Sequence, residues 1–477
     1  MAPLVITFRW SCRQSLGSIM DKQIWMGKLL TLAFFIPLLI YLKTLLPGVG
    51  FWDTAEFQTI AHTFDIGHPT GYPTYVLIGK IFLTLFGFNS VAWRMNFLSS
   101  LFAASGIYLF SLSLFRLTKN SILSLALSLL LALNPYLWAI AIRADPHALH
   151  FLFTSIFLFL GIKITFDKKT NLLPLISFIS GLSLGNHMLS IFFLPSLVLL
   201  FFLCPEKVKS FLAFLLGASI YLLLPAIYLS KIPLLSFDYS LATLGGLKRY
   251  VLGEDFQGLM NTWARENFAQ TLKFYFDLVK SSFPYFIWLL IPIGIFVSFS
   301  KKIFFGLFTF LLFFLPLYFS LRYQNAVIER YFITSFAIGN IWLGVFLSKV
   351  IKPKTFITFL VFILPITLFL KNIKVVDQSQ NHQAESWAKE TVNSTEKDSV
   401  IFSWWSYTTP LWYFQKVEGV RKDIIIVNAN PHEWEGKARR YQGSRHIYFI
   451  QEAELKDKNL RLIPHGSIFG LRSSLQP

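Results

Sequence analysis

Acidic side chains are scarce in this chain. Of 477 residues only 25 are Asp or Glu, against 43 Lys or Arg, and charged residues make up 14%, where soluble domains carry about 25%. With 54% hydrophobic residues, 52 Phe and a mean hydropathy of +0.55, that scarcity excludes a soluble globule and implies a polytopic membrane protein. Cysteine is almost missing: Cys12 and Cys204 are the only two, too few for a disulfide framework or a thiolate zinc site. There is no HExxH, no Walker loop and no GxGxxG between strand and helix. We therefore expect no metal, no cofactor and no soluble nucleotide donor. The net charge of +18 comes as small Lys/Arg clusters between apolar runs. Such clusters mark membrane topology, whereas a nucleic-acid partner would need a basic face or stripe.

What is present is a series of apolar runs. A spanning helix needs about 20 such residues. Eleven runs qualify: 28–46, 95–115, 121–141, 147–165, 171–187, 188–204, 211–230, 280–299, 303–320, 331–348 and 355–370. The apolar run that follows the basic segment 1–26 is long and lacks a small-residue cleavage pattern, so it reads as an anchor. The stretch 74–88 is short and carries Gly79 and Lys80 at its centre, and it reads as an interfacial or re-entrant helix. With 74–88 outside the count and the N-terminus cytoplasmic, the basic clusters all face inward: Arg116/Lys119, Lys168/Lys169, Lys207/Lys209, Lys301/Lys302 and Lys349/Lys352/Lys354. That is the positive-inside pattern.

The consequence is chemical. The remaining polar residues then gather on the outer face, in a first loop (47–94), at the 143–147 corner, at His187, in a large loop (231–275) and near Arg330. Residues 371–477 have ordinary composition. An amphipathic helix at 382–394, a strand at 399–403, a helix near 408–418 and a strand at 423–429 describe a small α/β domain outside the membrane. Its Trp404, Trp405, Trp412 and Tyr413 suit either a modest core or the membrane interface.

The densest polar stretch is FWDTAEFQTIAHTFDIGHPTGYP, residues 51–73. Asp53 and Glu56 have the spacing of a helix N-cap and its N3 partner, and also that of two carboxylates on one side of a helix. Partial desolvation of Asp53 near the headgroups would raise its proton affinity toward a base's working range. HPTGYP is a turn that offers His68 and Tyr72 as hydrogen-bond donors to a phosphate or sugar. Arg94, Arg143 and Arg330 each suit a headgroup anchor; together they suit an anion site. Asp145 would pair with Arg143, and His147 would cap the following helix. Asn186 and His187 mark a tight helix–helix turn or a binding corner.

DTAEF, GHPTGYP and AWRMNFLSS, in that order and spacing, resemble the bacterial and animal family of transmembrane protein O-mannosyltransferase-like proteins, of the glycosyltransferase C (GT-C) superfamily. The likeness continues more weakly through GLSLGNHMLS, the region 235–256, Arg330-Tyr331 and LWYFQKVEGVRKDIIIV. It implies an all-α polytopic fold of about 11 transmembrane helices with outer-loop helices, plus the small α/β domain. It also implies a catalytic carboxylate at Asp53 with Glu56 beside it. One departure stands out: relatives carry a Glu-Val-Tyr-Ala-Leu-like stretch where this chain has Asp145-Pro-His147-Ala-Leu149.

The expected function is an inverting glycosyltransferase of the cytoplasmic membrane. It would move a hexose, by resemblance mannose, from a polyprenyl-phosphate donor to an acceptor hydroxyl, Ser/Thr of protein. Asp53 and Glu56 would be catalytic, and His68, Tyr72, Arg94, Arg143, Asp145, His187 and Arg330 would bind substrate. A glycolipid or cell-wall acceptor is the same-class alternative. A transporter or flippase fits less well, since charges sit at the ends of the spans and no internal repeat is found.

Overall fold

The computed structural model describes residues 28–235, 237–260, 268–323, 325, 327–351, 356–457 and 459–473; the basic segment 1–26 lies outside them. The protein is mostly helical. Six helices are long and apolar enough to cross a bilayer: Val91–Thr118, Pro146–Asp167, Lys207–Ser230, Ile303–Ser320, Ile328–Val350 and Thr358–Val376. Two bent pairs bring the number to eight if each is one span. Six to eight spans among the described residues, by length and composition, is a coarser reading than the eleven expected.

The difference lies in short and broken pieces. Thr170–Leu184 and Met188–Leu203, two of the expected spans, are apolar but short. The expected span 280–299 straddles a 100° break between Ala269–Ser282 and Ile287–Lys301. Pro284 lies in that break, where it lacks a helical donor and disfavours helix in the residue before it. The run 121–141 also divides, at 71°. There Asn134 accepts from the Tyr136 and Leu137 amides, and Pro135 opens a new helix, a strong start signal. The ambiguous stretch 74–88 forms the helix Pro73–Leu85, 13 residues long. At 1.5 Å per residue it spans about 20 Å, short of a hydrocarbon core of about 30 Å.

Burial ranks the spans. Ile328–Val350 is 83% buried and Pro146–Asp167 72%, whereas Lys207–Ser230 is only 17% buried. The first two therefore form the centre, and their N-terminal ends carry Arg330 and the Asp145 corner. A buried amide clasp ties the neighbouring loops together. Asn96 donates to the Leu46 and Gly48 carbonyls and accepts from Gln58 Nε2 and the Ala144 amide, all at 2.8–3.0 Å.

The C-terminal part folds into a five-stranded sheet of order β2-β1-β3-β5-β4. The strands are β1 (Val400–Ser403), β2 (Ile425–Asn428), β3 (Ile447–Phe449), β4 (Leu460–His465) and β5 (Ile468–Ser473). β1 pairs parallel with β2 and β3, and β5 pairs antiparallel with β3 and β4. All four β1 residues are buried, as a strand covered on both faces requires. The helices Gln383–Ser394 and Trp405–Lys416 flank it. Trp412 and Tyr413 are buried core residues. Helix Trp405–Lys416 docks on the membrane part. Thr409 Oγ1 donates to the Trp52 carbonyl at 2.7 Å, Trp52 N donates to Ser406 O at 3.3 Å, and the Tyr413 hydroxyl accepts from the Ala92 amide at 3.1 Å.

Candidate active site

Asp53 opens the helix Asp53–Thr63, but it does not cap it. The N-cap position belongs to Trp52, with φ 60°, and no side chain caps the helix. The capping box expected from the spacing is thus absent, because both carboxylates have other partners. Asp53 Oδ2 accepts from Arg330 Nη2 at 3.1 Å, and Oδ1 accepts from the Trp405 indole at 3.0 Å. Glu56 is wholly buried. Its Oε1 accepts from the His68 amide and its Oε2 meets His68 Nδ1, each at 2.6 Å. His68 Nε2 in turn meets the Tyr72 hydroxyl at 2.8 Å. A Glu56–His68–Tyr72 chain therefore runs from the core outward.

The HPTGYP turn makes that chain possible. The Gly71 amide donates to His68 O at 2.8 Å, and Gly71 has φ +89° with the Tyr250 ring and Leu224 packed where a Cβ would stand. Only glycine fits both demands. The Tyr250 hydroxyl donates to the Gly67 carbonyl, so the segment around Tyr250 pins this turn.

The Asp145 carboxylate differs from expectation. Asp145, not His147, caps the helix Pro146–Asp167: it accepts from the His147 amide and from His147 Nδ1, both at 2.9 Å. Its other oxygen accepts from Arg330 Nη1 at 3.0 Å, while Arg143 Nε approaches only to 3.8 Å. Arg330 wins because its guanidinium is buried and within hydrogen-bond reach. His187 accepts from the Leu189 amide, and its ring lies 4.3 Å from that of His147. The corner is both a tight turn and a cavity wall.

These groups converge on one cavity of about 1070 Å³, lined by Asp53, His68, Tyr72, Arg143, His147, His187 and Arg330, with Trp52 and Trp405 alongside. Ligand cavities run to about 1,000 Å³, so this one has room for more than a single sugar. Arg94 is elsewhere. Its guanidinium donates to the Leu83 carbonyl at 3.0 Å and to that of Phe86, serving the orphan carbonyls at the end of helix Pro73–Leu85.

Burial alone would raise the Asp53 carboxyl. The charges of His68 and Arg330 and the hydrogen bonds from Trp405 and Arg330 outweigh it and hold the group below its ordinary value. Asp53 is therefore a weaker base than desolvation would make it, contrary to expectation. Asp145 is likewise held low, Arg330 and His147 overcoming the effect of burial. Burial would lower His68, yet the Glu56 carboxylate at its Nδ1 raises it. Asp53, Glu56 and His68 each present a ligand atom within 4.8 Å of the others, the one such group among the described residues. Both ring nitrogens of His68 are engaged, Nδ1 by Glu56 and Nε2 by Tyr72, so a divalent ion would have to break one of those contacts, and as arranged the group fits a cation poorly.

Two residues escaped sequence reasoning. Trp405 stands 352 positions from Asp53, in a tryptophan pair that gave no sign of its partner. Asn96 sits in the same AWRMN motif as Arg94, where the charge drew attention and the amide carries the structure.

Residues 53–210 match the family described as the Protein O-mannosyl-transferase TMEM260 N-terminal domain, and residues 384–434 match TMEM260-associated domain 2. In these two segments the chain is similar to the TMEM260 family. It is 24% identical over 431 residues to Protein O-mannosyl-transferase TMEM260 of Mus musculus, covering 82% of this chain and 60% of the mouse protein. Against the Dictyostelium discoideum protein of the same name it is 23% identical over 480 residues, covering 85% and 58%. The chain thus spans about three-fifths of the length of those proteins. Its fold resembles that of the Archaeoglobus fulgidus oligosaccharyltransferase, solved in complex with zinc and sulfate, with a TM-score of 0.54 at 13% identity over 87% of this chain and 67% of that one. The likeness to the oligosaccharyltransferase is one of fold.

Proposed function

We propose that this protein is an inverting glycosyltransferase that moves mannose from a polyprenyl-phosphate donor to Ser/Thr hydroxyls of protein on the outer face of the cytoplasmic membrane. Residues 27–370 form the membrane domain, with outer loops 47–94 and 231–275, and residues 371–477 stand outside as the α/β domain. The observation that carries the reading is a carboxylate beside unsatisfied nitrogen. Arg143 Nε, Arg330 Nε and His147 Nε2 are buried with no hydrogen-bond partner among the described residues, and their side chains line the cavity that holds Asp53. Buried polar atoms without partners are rare, and guanidinium matches phosphate oxygens.

In the reaction the acceptor oxygen attacks the anomeric carbon as the carbon–oxygen bond to phosphate breaks. The polyprenyl phosphate leaves with that electron pair, and the hydroxyl proton passes to Asp53. The low proton affinity of Asp53 suits a transfer in which the hydroxyl grows acidic as its oxygen bonds to carbon. Arg143 and Arg330 stabilise charge on the departing phosphate. His187 and Tyr72 bound the sugar, and the Glu56–His68 pair keeps Tyr72 oriented.

The test is to incubate membranes holding the wild-type chain or Asp53→Asn with radiolabelled polyprenyl-phosphate mannose. Label should enter protein with wild type and fall by about 10²–10⁴ in the variant, the usual worth of a general base. Label in lipid instead would move the acceptor to a glycolipid, and equal labelling by the variant would remove Asp53 as base.

A further inference from the structure

The sheet domain reaches into the site. Trp405 begins the helix that follows β1 and donates its indole N–H to Asp53 Oδ1 at 3.0 Å, on the oxygen that Arg330 leaves free. The indole is held in turn by the Trp412 ring at 5.9 Å and the His68 ring at 5.7 Å, both nearly perpendicular to it. The same helix is bonded to both backbone groups of Trp52, the residue before Asp53. One rigid element therefore fixes the backbone on one side of the acid and the direction of its carboxylate.

An indole donates and never accepts. Trp405 can thus stabilise the ionised carboxylate without taking up the acceptor's proton. A carboxylate offers about four lone-pair sites; with one on each oxygen engaged, the others stay free for a substrate hydroxyl. We propose that Trp405 is a positioning residue for Asp53, and that the docked sheet domain is in this way part of the catalytic centre. The inference rests on the reading of Asp53 as base, but its central measurement does not.

That measurement is carbodiimide labelling of Asp53 in the full-length membrane protein as a function of pH, read residue by residue by mass spectrometry. Carbodiimide reacts with the protonated carboxyl, so the midpoint reports proton affinity with no substrate present. Trp405→Phe keeps a ring against His68 and Trp412 and removes the donor. The midpoint should rise by about one pH unit, tenfold in proton affinity, and transfer should slow about tenfold or more in kcat with the donor KM unchanged. Arg330→Lys serves as the positive control for a midpoint that can move. Should the Phe variant fail to fold, β-(3-benzothienyl)alanine incorporated at position 405 preserves the shape and lacks only the N–H. An unmoved midpoint overturns the proposal. A moved midpoint in a protein that transfers no sugar leaves Trp405 in place and sinks the catalytic reading instead.

Discussion

Arg330 and Asp53 meet across 277 residues of chain, Nη2 to Oδ2 at 3.1 Å, and the same guanidinium holds Asp145 at 3.0 Å through its other terminal nitrogen. One cation thus joins the N-terminal ends of two helices, Asp53–Thr63 and Pro146–Asp167. Each carboxylate already sits where the helix dipole favours negative charge. Arg330 adds the charge balance that lets both remain ionised side by side.

Removing that cation should cost more than removing one acid. Asp145 is almost fully buried, whereas Asp53 is partly exposed. Breaking a buried ion pair from one side costs roughly 3–5 kcal/mol, so Arg330→Met should lower the thermal unfolding midpoint well below that of Asp53→Asn. Equal midpoints in detergent would mean that Arg330 contributes to chemistry alone.

The pH dependence of stability should have two limbs with different owners. Asp53 is held below its ordinary value of 3.8. Its stabilisation is complete above that pH and is lost as pH falls through the depressed folded value. His68 is raised above 6.5. Its stabilisation is complete below 6.5 and is lost as pH rises through the raised value. Asp53→Asn should flatten the acid limb and His68→Gln the alkaline one, as followed by unfolding midpoints across pH. An alkaline limb that survives in His68→Gln would assign it to another group.

Asn96→Leu should be far more damaging than Arg94→Gln. The first takes the Asn96 partner from the Ala144 N–H and the Leu46 carbonyl, while Gln58 Nε2 and the Gly48 carbonyl each lose one bond and keep the 3.2 Å bond between them. Unsatisfied buried groups cost about 1–3 kcal/mol each. The second gives up bonds to carbonyls at a helix end, about 1 kcal/mol. Expression level and midpoint, measured together, test the ranking; a milder Asn96 variant would show that water replaces the clasp.

Chelation offers a test of charge compensation. If Arg330 already supplies the positive charge beside Asp53, prolonged treatment with a strong chelator should leave sugar transfer within about twofold of untreated protein. Loss of activity restored by a divalent ion would put a cation among Asp53, Glu56 and His68 and require His68 to leave Glu56. The twofold margin corresponds to about 0.4 kcal/mol.

Much of this architecture is written locally and is therefore readable. The Pro-Gly-Pro turn at 69–73, the short helix after it, and the helix–strand–helix–strand order from 383 to 428 all follow from nearby residues. The last three strands do not. β4 contains Pro464, which reads as a break, and is tolerated because β4 is the sheet edge and needs no donor there. Asp53 was legible as an important acid, but its partners were not. The Arg330 and Trp405 contacts join distant parts of the chain, and no spacing rule reaches that far. The same holds for Asn96, whose four bonds go to three separate segments.

The Asp53–Trp405 contact also has a bearing on biosynthesis. At 5–20 residues per second, the ribosome needs roughly 20–70 s to travel the 352 residues from one to the other. Until then the nascent first loop waits with its acid unclamped, and the pocket cannot close around Asp53 before Trp405 has been made.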